Sequence, residues 1–312
     1  MKIPTLFMLV GLPGAGKSTY IVNLGSVRVH SSDALRQELY GDINDQSHNQ
    51  ELFTELHRRI KSDLMNGFDV VYDATNLNKK KRIAFLQELK NIACQKCCVL
   101  FLTQYKVCCE RNAARSRVVP DHAMRKMYMN FQPPDYREGF NHIIQVYDDT
   151  PLDTYYDWYN FMHGTNDFVG ANKFDQENHN HSLSLGGHMT KAKKFVQIYH
   201  PSNENLIMAA MLHDNGKVFT KTHLNSKGVD DGNCHYYQHH CVGAYDAFFF
   251  MDAMNYGSFD DRLYVSNLIY YHMHPMMAWK QSDKARARDR VQMGEEMYQD
   301  VMRLHNADVA AH

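Results

Sequence analysis

The sequence predicts two domains, an α/β domain in which helices flank a parallel sheet, followed by an all-α domain. Up to about residue 150, short apolar runs alternate with longer charged segments of helical period. After about residue 181, nearly every segment has the helical period. The 312 residues can form two cores, and most of the nineteen histidines follow residue 178. The two parts of the chain are therefore expected to carry out different chemistry.

The first domain is predicted over residues 1–150. Its predicted strands are Thr5–Val10, Val27–His30, Asp69–Tyr72, Cys97–Thr103 and Ile143–Val146. Its longest predicted helices are Gln50–Asn66 and Lys79–Asn91. The apolar stretch near the N-terminus runs directly into glycines, so we interpret it as a buried strand and not as a signal peptide.

A turn-rich segment follows Tyr147, and we assign residues 151–164 to a connector and residues 165–312 to the second domain. The predicted helices of this domain are Leu183–Tyr199, Asn205–His213, His239–Met254, Asp260–His272 and Gly294–His305. Residues 220–233 are rich in polar residues and glycine, and they are predicted to form a loop.

Composition excludes several classes of protein. The net charge of −1 argues against an extended basic surface for nucleic acid, so any polynucleotide must be held locally by a few arginines and lysines. No apolar run approaches the roughly 18 residues of a membrane helix, and no membrane association is expected. The Cys97-Cys98 and Cys108-Cys109 pairs suit a reducing compartment, so we expect a cytoplasmic protein.

A glycine-rich segment after the first predicted strand has the spacing of a phosphate-binding loop, and a helix is predicted directly behind it. In such a loop, backbone amides turn onto phosphate oxygens and the helix N-terminus favours negative charge. A lysine then reaches the β- and γ-phosphates and a hydroxyl ligates magnesium. The predicted nucleotide-binding residues are Gly11, Pro13, Gly14, Ala15, Gly16, Lys17, Ser18 and Thr19, with Asp73 from a later strand.

The segment after the second predicted strand offers an acceptor site. Asp33 would lie beside the phosphate site, where a carboxylate can take the proton of an attacking hydroxyl. Arg36, three residues later on the same helical face, could hold an acceptor phosphate. The alternative is that Asp33 only caps the following helix.

Two further segments complete the predicted kinase site. Asp73 ends an apolar strand and would organise the magnesium shell, whereas the basic run Lys79–Arg82 is interpreted as a solvated helix start. Arg111 and Arg115 are spaced i, i+4 and are predicted to share a helix face, as a lid that clamps charge on the transferring phosphoryl group. The alternative for this pair is a surface helix with salt bridges.

Together these segments resemble the 5′-polynucleotide kinase domain of bacteriophage end-healing enzymes, over roughly residues 3–148. The matching stretches are GLPGAGKST, SDALR, YDATNLNKKKR and RNAARSRVVP. The resemblance implies ATP and Mg²⁺ as cofactors. It also implies Asp33 as general base, Arg36 as an acceptor contact, and Arg111 and Arg115 as the lid pair.

The second domain carries histidines and aspartates on several predicted helices. His188 is followed by an adjacent His213-Asp214 pair, by His240 and His272, and by an aspartate near the C-terminus. Imidazoles and carboxylates that converge inside a helical bundle suit a divalent transition metal or Mg²⁺. The alternative is a set of inert, hydrogen-bonded core residues.

This pattern resembles the HD superfamily of metal-dependent phosphohydrolases, over roughly residues 165–312. The resemblance implies primary ligands at His188, His213, Asp214 and Asp308, and a second metal site with His240 and His272. It places Lys217 near the scissile phosphate and His181 near the substrate. His240 is preferred because Gly243-Ala244 follows it at the family spacing, and His239, His274, His223 and His235 are the other candidates.

The two resemblances together predict a bifunctional end-healing enzyme for RNA or DNA termini, with a ligase acting downstream. The kinase would phosphorylate a 5′-hydroxyl, and the second domain would remove a 2′,3′-cyclic, 2′- or 3′-phosphate. Two alternatives stay open. One is a nucleoside or nucleotide kinase fused to a nucleotidase, and the other is a non-catalytic sensor of nucleotide and metal.

Overall fold

The structure is a computed structural model that describes residues 3–177 and 183–312. The chain divides into two compact units. The first comprises Met1–Met127 and Pro134–Thr150, and the second comprises Tyr128–Pro133 and Pro151–His312. The sequence pattern did not predict that Tyr128–Pro133 belongs with the second unit. Within the described residues, no helix is long and apolar enough to cross a bilayer.

The first unit is built on a five-stranded sheet. In chain order its elements are β1 Thr5–Val10, α1 Lys17–Asn23, β2 Arg28–Ser31, α2 Ser32–Tyr40, α3 Asn49–Met65, β3 Val70–Asp73, α4 Lys79–Glu88, β4 Gln95–Leu102, α5 Tyr105–Ala113, α6 Asp121–Tyr128 and β5 His142–Tyr147. All strand pairs are parallel, in the order β2-β3-β1-β4-β5. This arrangement confirms the predicted parallel sheet with flanking helices.

The order of the strands positions the phosphate-binding loop. β1 is central, with β3 on one side and β4 on the other. β4 is buried from Cys97 to Leu102, as expected for a strand covered on both faces. In an open parallel sheet of this type, ligands bind beyond the carboxyl ends of the strands where the strand order reverses. The loop after Val10 lies at this point.

The basic run at the start of α4 is only partly solvated, because Lys79 and Arg82 are buried whereas Lys80 and Lys81 are exposed, and the prediction of a solvated helix start is corrected for the two buried residues. Arg82 is fully buried and makes a bidentate pair with Glu138, in which Nε and one amino group donate to the two carboxylate oxygens at 2.8 and 2.7 Å. Its other amino group donates to the Asn76 carbonyl at 2.9 Å. Because Asn76 follows β3 and in turn donates to the Leu9 carbonyl, Arg82 helps to hold the segment behind the phosphate-binding loop.

Arg82→Met is expected to lower the free energy of unfolding of the first unit by roughly 3–5 kcal/mol, because it leaves the Glu138 carboxylate buried without its partner. Denaturant titration followed by a probe in this unit measures the loss. Arg58→Met is the matched control, since Arg58 pairs with Glu55 on the surface and its loss is worth about 1 kcal/mol or less. The double variant Arg82→Met/Glu138→Leu should recover part of the loss, and equal losses in the single variant and the control would contradict the assignment.

The second unit is mainly helical. Its elements are α7 Trp158–His163, α8 Leu185–Tyr199, α9 Glu204–Leu212, α10 Lys217–Thr220, β6 Thr222–Leu224, β7 Asp230–His235, α11 His239–Ala253, α12 Phe259–Tyr271, α13 Ala278–Gln281, α14 Asp283–Met293 and α15 Glu295–Ala310. α11 is buried on all sides over Cys241–Met251, which makes it the central helix.

The prediction of a purely helical domain is wrong in one segment. Residues predicted as a loop form an antiparallel hairpin of β6 and β7, which pairs Thr222 with His235. The hairpin is mostly exposed and polar on both faces, so it lacks the alternation of apolar and polar residues by which a strand is recognised. Gly228 lies between the two strands and has a φ of +77°, which allows the chain to turn there.

Asp246 is a buried carboxyl group on α11. Its Oδ1 accepts hydrogen bonds from the hydroxyl groups of Tyr128 at 2.5 Å and Tyr156 at 3.2 Å. Burial raises the pKa of Asp246 to about 7, although the two hydroxyl groups favour the ionised form. Tyr128 and Tyr156 belong to two separate segments of the second unit, Tyr128–Pro133 and the segment that begins at Pro151. Their hydrogen bonds to Asp246 attach both segments to the central helix α11.

The stability of the second unit is expected to fall as pH rises from about 4 to about 7. Because the pKa of Asp246 is raised in the folded state, the folded protein holds a proton that the unfolded chain releases in this range. The loss is on the order of 4 kcal/mol. Thermal unfolding at a series of pH values measures it, and Asp246→Asn should flatten the profile. Asp252→Asn is the control, since Asp252 is a half-buried aspartate of the same helix that pairs with Arg262, and an unchanged slope in Asp246→Asn would refute the prediction.

Candidate active sites

The phosphate-binding loop joins the end of β1 to the start of α1. Gly14 and Gly16 have φ values of +83° and +88°, which favour glycine. A Cβ atom at Gly14 would lie 2.5 Å from the Cys108 carbonyl oxygen, so a side chain cannot be accommodated there. The loop therefore needs its glycines for both conformation and space. Its backbone amides and the N-terminus of α1 form an anion-binding turn.

Lys17 is the first residue of α1. Its ammonium group donates to the carbonyls of Gly11 at 3.0 Å and Leu12 at 2.7 Å, so it lies folded over the loop. Burial lowers the pKa of Lys17 to about 8, while the carboxylate of Asp73 acts in the opposite direction. The lysine thus keeps its charge at neutral pH and is placed to meet phosphate oxygens.

Asp73 ends β3 beside the loop. Ser31 at the end of β2 pairs with it in register, and the Ser31 hydroxyl donates to its carboxylate. Burial raises the pKa of Asp73, and the charge of Lys17 acts against this shift. The Ser18 hydroxyl is exposed at the start of α1. Hydroxyl and carboxylate oxygens are ligands that Mg²⁺ prefers beside phosphates, so this pair fits the ion.

Asp33 lies on the first turn of α2 and is held by two arginines. Arg36 donates to its Oδ1 at 3.0 Å, and Arg117 donates to its Oδ2 at 2.5 Å. The helix is capped by Ser31, whose hydroxyl accepts from the Ala34 amide, so capping does not explain Asp33. Arg36 is buried and also donates to Asn49 at 3.0 Å. The carboxylate is therefore fixed in orientation by charge-assisted bonds.

Arg117 was not among the residues predicted for this site, although it lies in the segment RNAARSRVVP. Besides Asp33, its guanidinium bonds the Asn44 side chain at 3.1 Å and the Ile43 carbonyl at 3.1 Å. It thus connects the segment after α5 to the segment after α2. Its position two residues after Arg115 was the available signal, but the partner Asp33 is 84 positions away in the chain.

The predicted arginine pair does not share a helix face. α5 ends at Ala113, so Arg111 lies in its last turn and Arg115 lies beyond it. Beyond the helix, the Asn112 side chain donates to the Val119 carbonyl at 2.8 Å and accepts from the Val119 amide at 3.0 Å, which holds the chain after Ala113 in a loop. Arg111 donates to Asp148 at 2.5 and 3.1 Å. Arg115 is exposed, and its charge helps to lower the pKa of Lys17.

One cavity of about 1360 Å³ joins these groups. The phosphate-binding loop, Asp33 and Asp73 line it together with four arginines, which are Arg36, Arg111, Arg115 and Arg117. A positively charged cavity of this size has room for a nucleotide and an acceptor side by side. The structure brings to this cavity the groups predicted from sequence for phosphoryl transfer, together with one that was not predicted, Arg117.

In the second unit, four buried side chains from three helical regions meet. His188 Nε2 lies 3.0 Å from Asp308 Oδ1 and 3.4 Å from Asp214 Oδ2. His213 Nε2 lies 3.4 Å from Asp214 Oδ2 and 3.1 Å from His188 Nε2. The structure thus brings together all four residues that the resemblance to the HD superfamily implies as primary metal ligands.

A second group shares Asp214. The other carboxylate oxygen of Asp214 lies 3.3 Å from His239 Nε2 and 3.8 Å from His272 Nε2, and the two imidazole nitrogens are 3.2 Å apart. The choice of His240 is corrected, because His239 occupies this position. α11 begins at His239, and consecutive residues of a helix point in directions about 100° apart. His240 instead lies beside the Tyr270 and His274 rings.

The orientation of the imidazoles supports metal binding. The Nδ1 atoms of His213, His239 and His272 face backbone carbonyl oxygens of Ala210, Tyr236 and Ile269 at 3.0, 2.8 and 2.6 Å. A ring that donates Nδ1–H presents an unprotonated Nε2, as metal ligands do in proteins. Three Nε2 atoms directed at the two oxygens of one carboxylate fit divalent cations better than an inert core.

Charge at this centre is balanced locally. Burial opposes ionisation of His188, but its bonds to Asp214 and Asp308 outweigh burial and raise its pKa to about 9. Burial lowers the pKa of His272 to about 3, with the neighbouring histidines acting in the same direction. Lys217 is buried, and its ammonium lies 2.7 Å from Asp214 Oδ2 and 2.8 Å from Gln176 Oε1. His181 lies outside the described residues.

The parallel sheet and the phosphate-binding loop of the first unit are similar to those of P-loop kinases, and two comparisons with known proteins match this part of the chain. Residues 6–134 match the model of a family described as an AAA domain. L-seryl-tRNA(Sec) kinase of Methanococcus maripaludis is 26% identical over 179 residues, covering 45% of this chain. The chain spans 65% of the length of that relative.

Solved structures show similarity to part of the chain. A gluconokinase from Sinorhizobium meliloti is 18% identical, with a TM-score of 0.34, covering 48% of this chain and 86% of its own. A Pnkp1/Rnl/Hen1 RNA repair complex is 20% identical, with a TM-score of 0.34, covering 41% of this chain and 43% of its own.

Proposed function

We propose that the chain is a bifunctional nucleic-acid end-healing enzyme. Its first unit transfers the γ-phosphate of ATP to the 5′-hydroxyl of RNA or DNA. Its second unit removes a 2′,3′-cyclic, 2′- or 3′-phosphate, which prepares both ends for a ligase. The observation that carries the proposal is the cavity in which Asp33, held by two arginines, faces the phosphate-binding loop.

Phosphoryl transfer needs a base, charge stabilisation and alignment. Asp33 takes the proton as the acceptor oxygen bonds to the γ-phosphorus and the bond to the ADP oxygen breaks. Lys17 and Arg115 place positive charge at the transferring group, and Arg111 is held at the same cavity by Asp148. Arg36 and Arg117 fix the carboxylate and add the positive charge that a phosphate next to the acceptor hydroxyl needs.

In the second unit, the residues that would hold metal are His188, His213, Asp214 and Asp308, with His239 and His272 on the other oxygen of Asp214. One or two divalent cations there supply Lewis-acid activation of water. Lys217 lies next to this centre and is placed to bind the phosphate oxygens of a phosphoester. A buried, positively charged group beside the ligands favours an anionic substrate.

The test is an oligonucleotide that carries a 5′-hydroxyl and a 2′,3′-cyclic phosphate, incubated with radiolabelled ATP. Wild type should phosphorylate the 5′ end and open and remove the cyclic phosphate. Lys17→Ala should lose only the first activity, and Asp214→Ala only the second. The proposal fails if neither end changes with wild type, or if both variants process both ends at the wild-type rate.

A second candidate follows from the match to L-seryl-tRNA(Sec) kinase. In this case the acceptor hydroxyl belongs to an amino acid carried by tRNA, and the same cavity would hold it. A parallel reaction with seryl-tRNA and one with free nucleosides separate these substrates. Label on the seryl group or on nucleosides, without label on 5′-hydroxyl oligonucleotides, rejects the polynucleotide assignment. A non-catalytic sensor predicts ATP binding without any labelled product.

A further inference from the structure

A third group of metal-binding side chains lies in the second unit and shares no residue with the His/Asp groups. Glu177, His223 and Cys234 offer one oxygen, one nitrogen and one sulfur atom within 4.8 Å of one another. Cys234 Sγ lies 3.5 Å from His223 Nδ1 and 3.7 Å from Glu177 Oε2. The Glu177 oxygen lies 3.9 Å from His223 Nε2.

The hairpin brings these residues together. His223 lies on β6 and Cys234 on β7, each adjacent to the Thr222–His235 pair. The Cys234 amide donates to the Glu177 carbonyl at 2.9 Å, which attaches the segment before residue 178 to β7. Glu177 has a φ of +44°, an uncommon conformation for a residue other than glycine. The contacts of this segment therefore hold its backbone in a conformation of higher free energy.

The environment leaves one oxygen of Glu177 for a metal. Lys221 donates to Glu177 Oε1 at 2.6 Å and to the Asp175 carbonyl at 2.8 Å. Oε2 is the oxygen that faces Cys234 and His223. The carboxylate is thus oriented by Lys221, the residue directly before β6, in the way that outer-shell partners orient ligands of metal sites.

We propose that Glu177, His223 and Cys234 bind one zinc ion, with solvent as a fourth ligand. Thiolate, imidazole and carboxylate are the three side-chain ligands that zinc takes in tetrahedral sites. The softness of the sulfur selects zinc over magnesium or calcium. The thiol proton of Cys234 is released to solvent on binding.

The position of the site indicates what zinc would do. It clamps residues 175–177 to the hairpin, and the Gln176 side chain between them accepts a hydrogen bond from Lys217 at 2.8 Å. Tyr236, the residue directly after β7, also donates from its hydroxyl to the Gln176 carbonyl at 2.5 Å. Zinc would therefore order both the hairpin and Gln176, the hydrogen-bond partner of Lys217. This inference does not rest on the proposed function.

The test uses the full chain, stripped of metal, with Co²⁺ as a spectroscopic probe. A thiolate-to-Co²⁺ charge-transfer band reports sulfur ligation, and the His/Asp groups contain no sulfur. Wild type should show this band, and Zn²⁺ should abolish it by displacement. Cys234→Ser should lose the band, whereas Cys241→Ser, a buried cysteine of α11, should retain it.

Cys234 is buried, and its substitution could disturb folding. His223→Ala provides a second test of the site, because His223 is exposed. It should weaken Co²⁺ binding at the sulfur site by at least about tenfold with an unchanged circular dichroism spectrum. Asp214→Asn should keep the band. The inference is overturned if wild type shows no thiolate band, if the band persists in Cys234→Ser, or if Zn²⁺ fails to displace Co²⁺.

Discussion

Asp33→Asn is expected to lower the rate of phosphoryl transfer on the order of 10³-fold, because the amide cannot take the proton of the acceptor hydroxyl. The substitution keeps the shape of the side chain, and its oxygen can still accept from one of the two arginines. ATP binding through the phosphate-binding loop should be unchanged. Single-turnover transfer to a 5′-hydroxyl oligonucleotide, with nucleotide affinity measured separately, tests both statements.

Asp121→Asn is the matched control. Asp121 is an exposed aspartate on the first turn of α6 and does not line the cavity. It should transfer phosphate at the wild-type rate. If Asp33→Asn also retains the wild-type rate, Asp33 is not the base. If Asp33→Asn loses ATP affinity in proportion to its loss of rate, Asp33 holds the nucleotide site and does not act in proton transfer.

Asp214→Asn is expected to weaken metal binding in the second unit by more than about 100-fold, because one carboxylate faces both groups of histidines. Phosphoesterase activity should fall with metal content. Elemental analysis after dialysis gives the number of bound ions per chain, and activity on a 2′,3′-cyclic terminus gives the function. Kinase activity of the same sample should be unchanged, which controls for folding of the first unit.

The neighbours at the start of α11 provide a sharper comparison. His239→Asn should lower metal content, because its Nε2 faces Asp214 at 3.3 Å. His240→Asn should leave metal content unchanged, since its ring packs against Tyr270 and His274. If His240→Asn lowered metal content and His239→Asn did not, His240 would be the ligand, as predicted from sequence spacing. Equal metal content in all three variants and in wild type would refute the metal centre.

The phosphate-binding loop could be predicted because its residues are close together in sequence. The strand Thr5–Val10, the glycine-rich loop and the start of α1 form one continuous segment, so spacing alone specifies which atoms meet. The histidines and aspartates of the second unit were also recognisable, because the adjacent His213-Asp214 pair, with histidines on other predicted helices, is harder to explain as an inert core than a single buried histidine.

Other features could not be predicted because they depend on distant parts of the chain. Arg117 meets Asp33 across 84 positions, and Tyr128 meets Asp246 across 118. The end of α5 before Arg115 was misjudged, because i, i+4 spacing predicts a shared face only while the helix continues. The hairpin of β6 and β7 was missed because its polar residues carry no periodic signal.

The sequence by itself determined the parallel α/β fold of the first unit, its phosphate-binding loop, and the four side chains His188, His213, Asp214 and Asp308 that meet in the second. Local spacing and hydrophobic period are sufficient for these features. Only the tertiary structure decided that Arg117 holds Asp33, that His239 and not its neighbour faces Asp214, and that Glu177 meets Cys234 on a hairpin. The rotation of a helix and the pairing of charges are set by packing between segments far apart in the chain, and residue order alone does not contain that geometry.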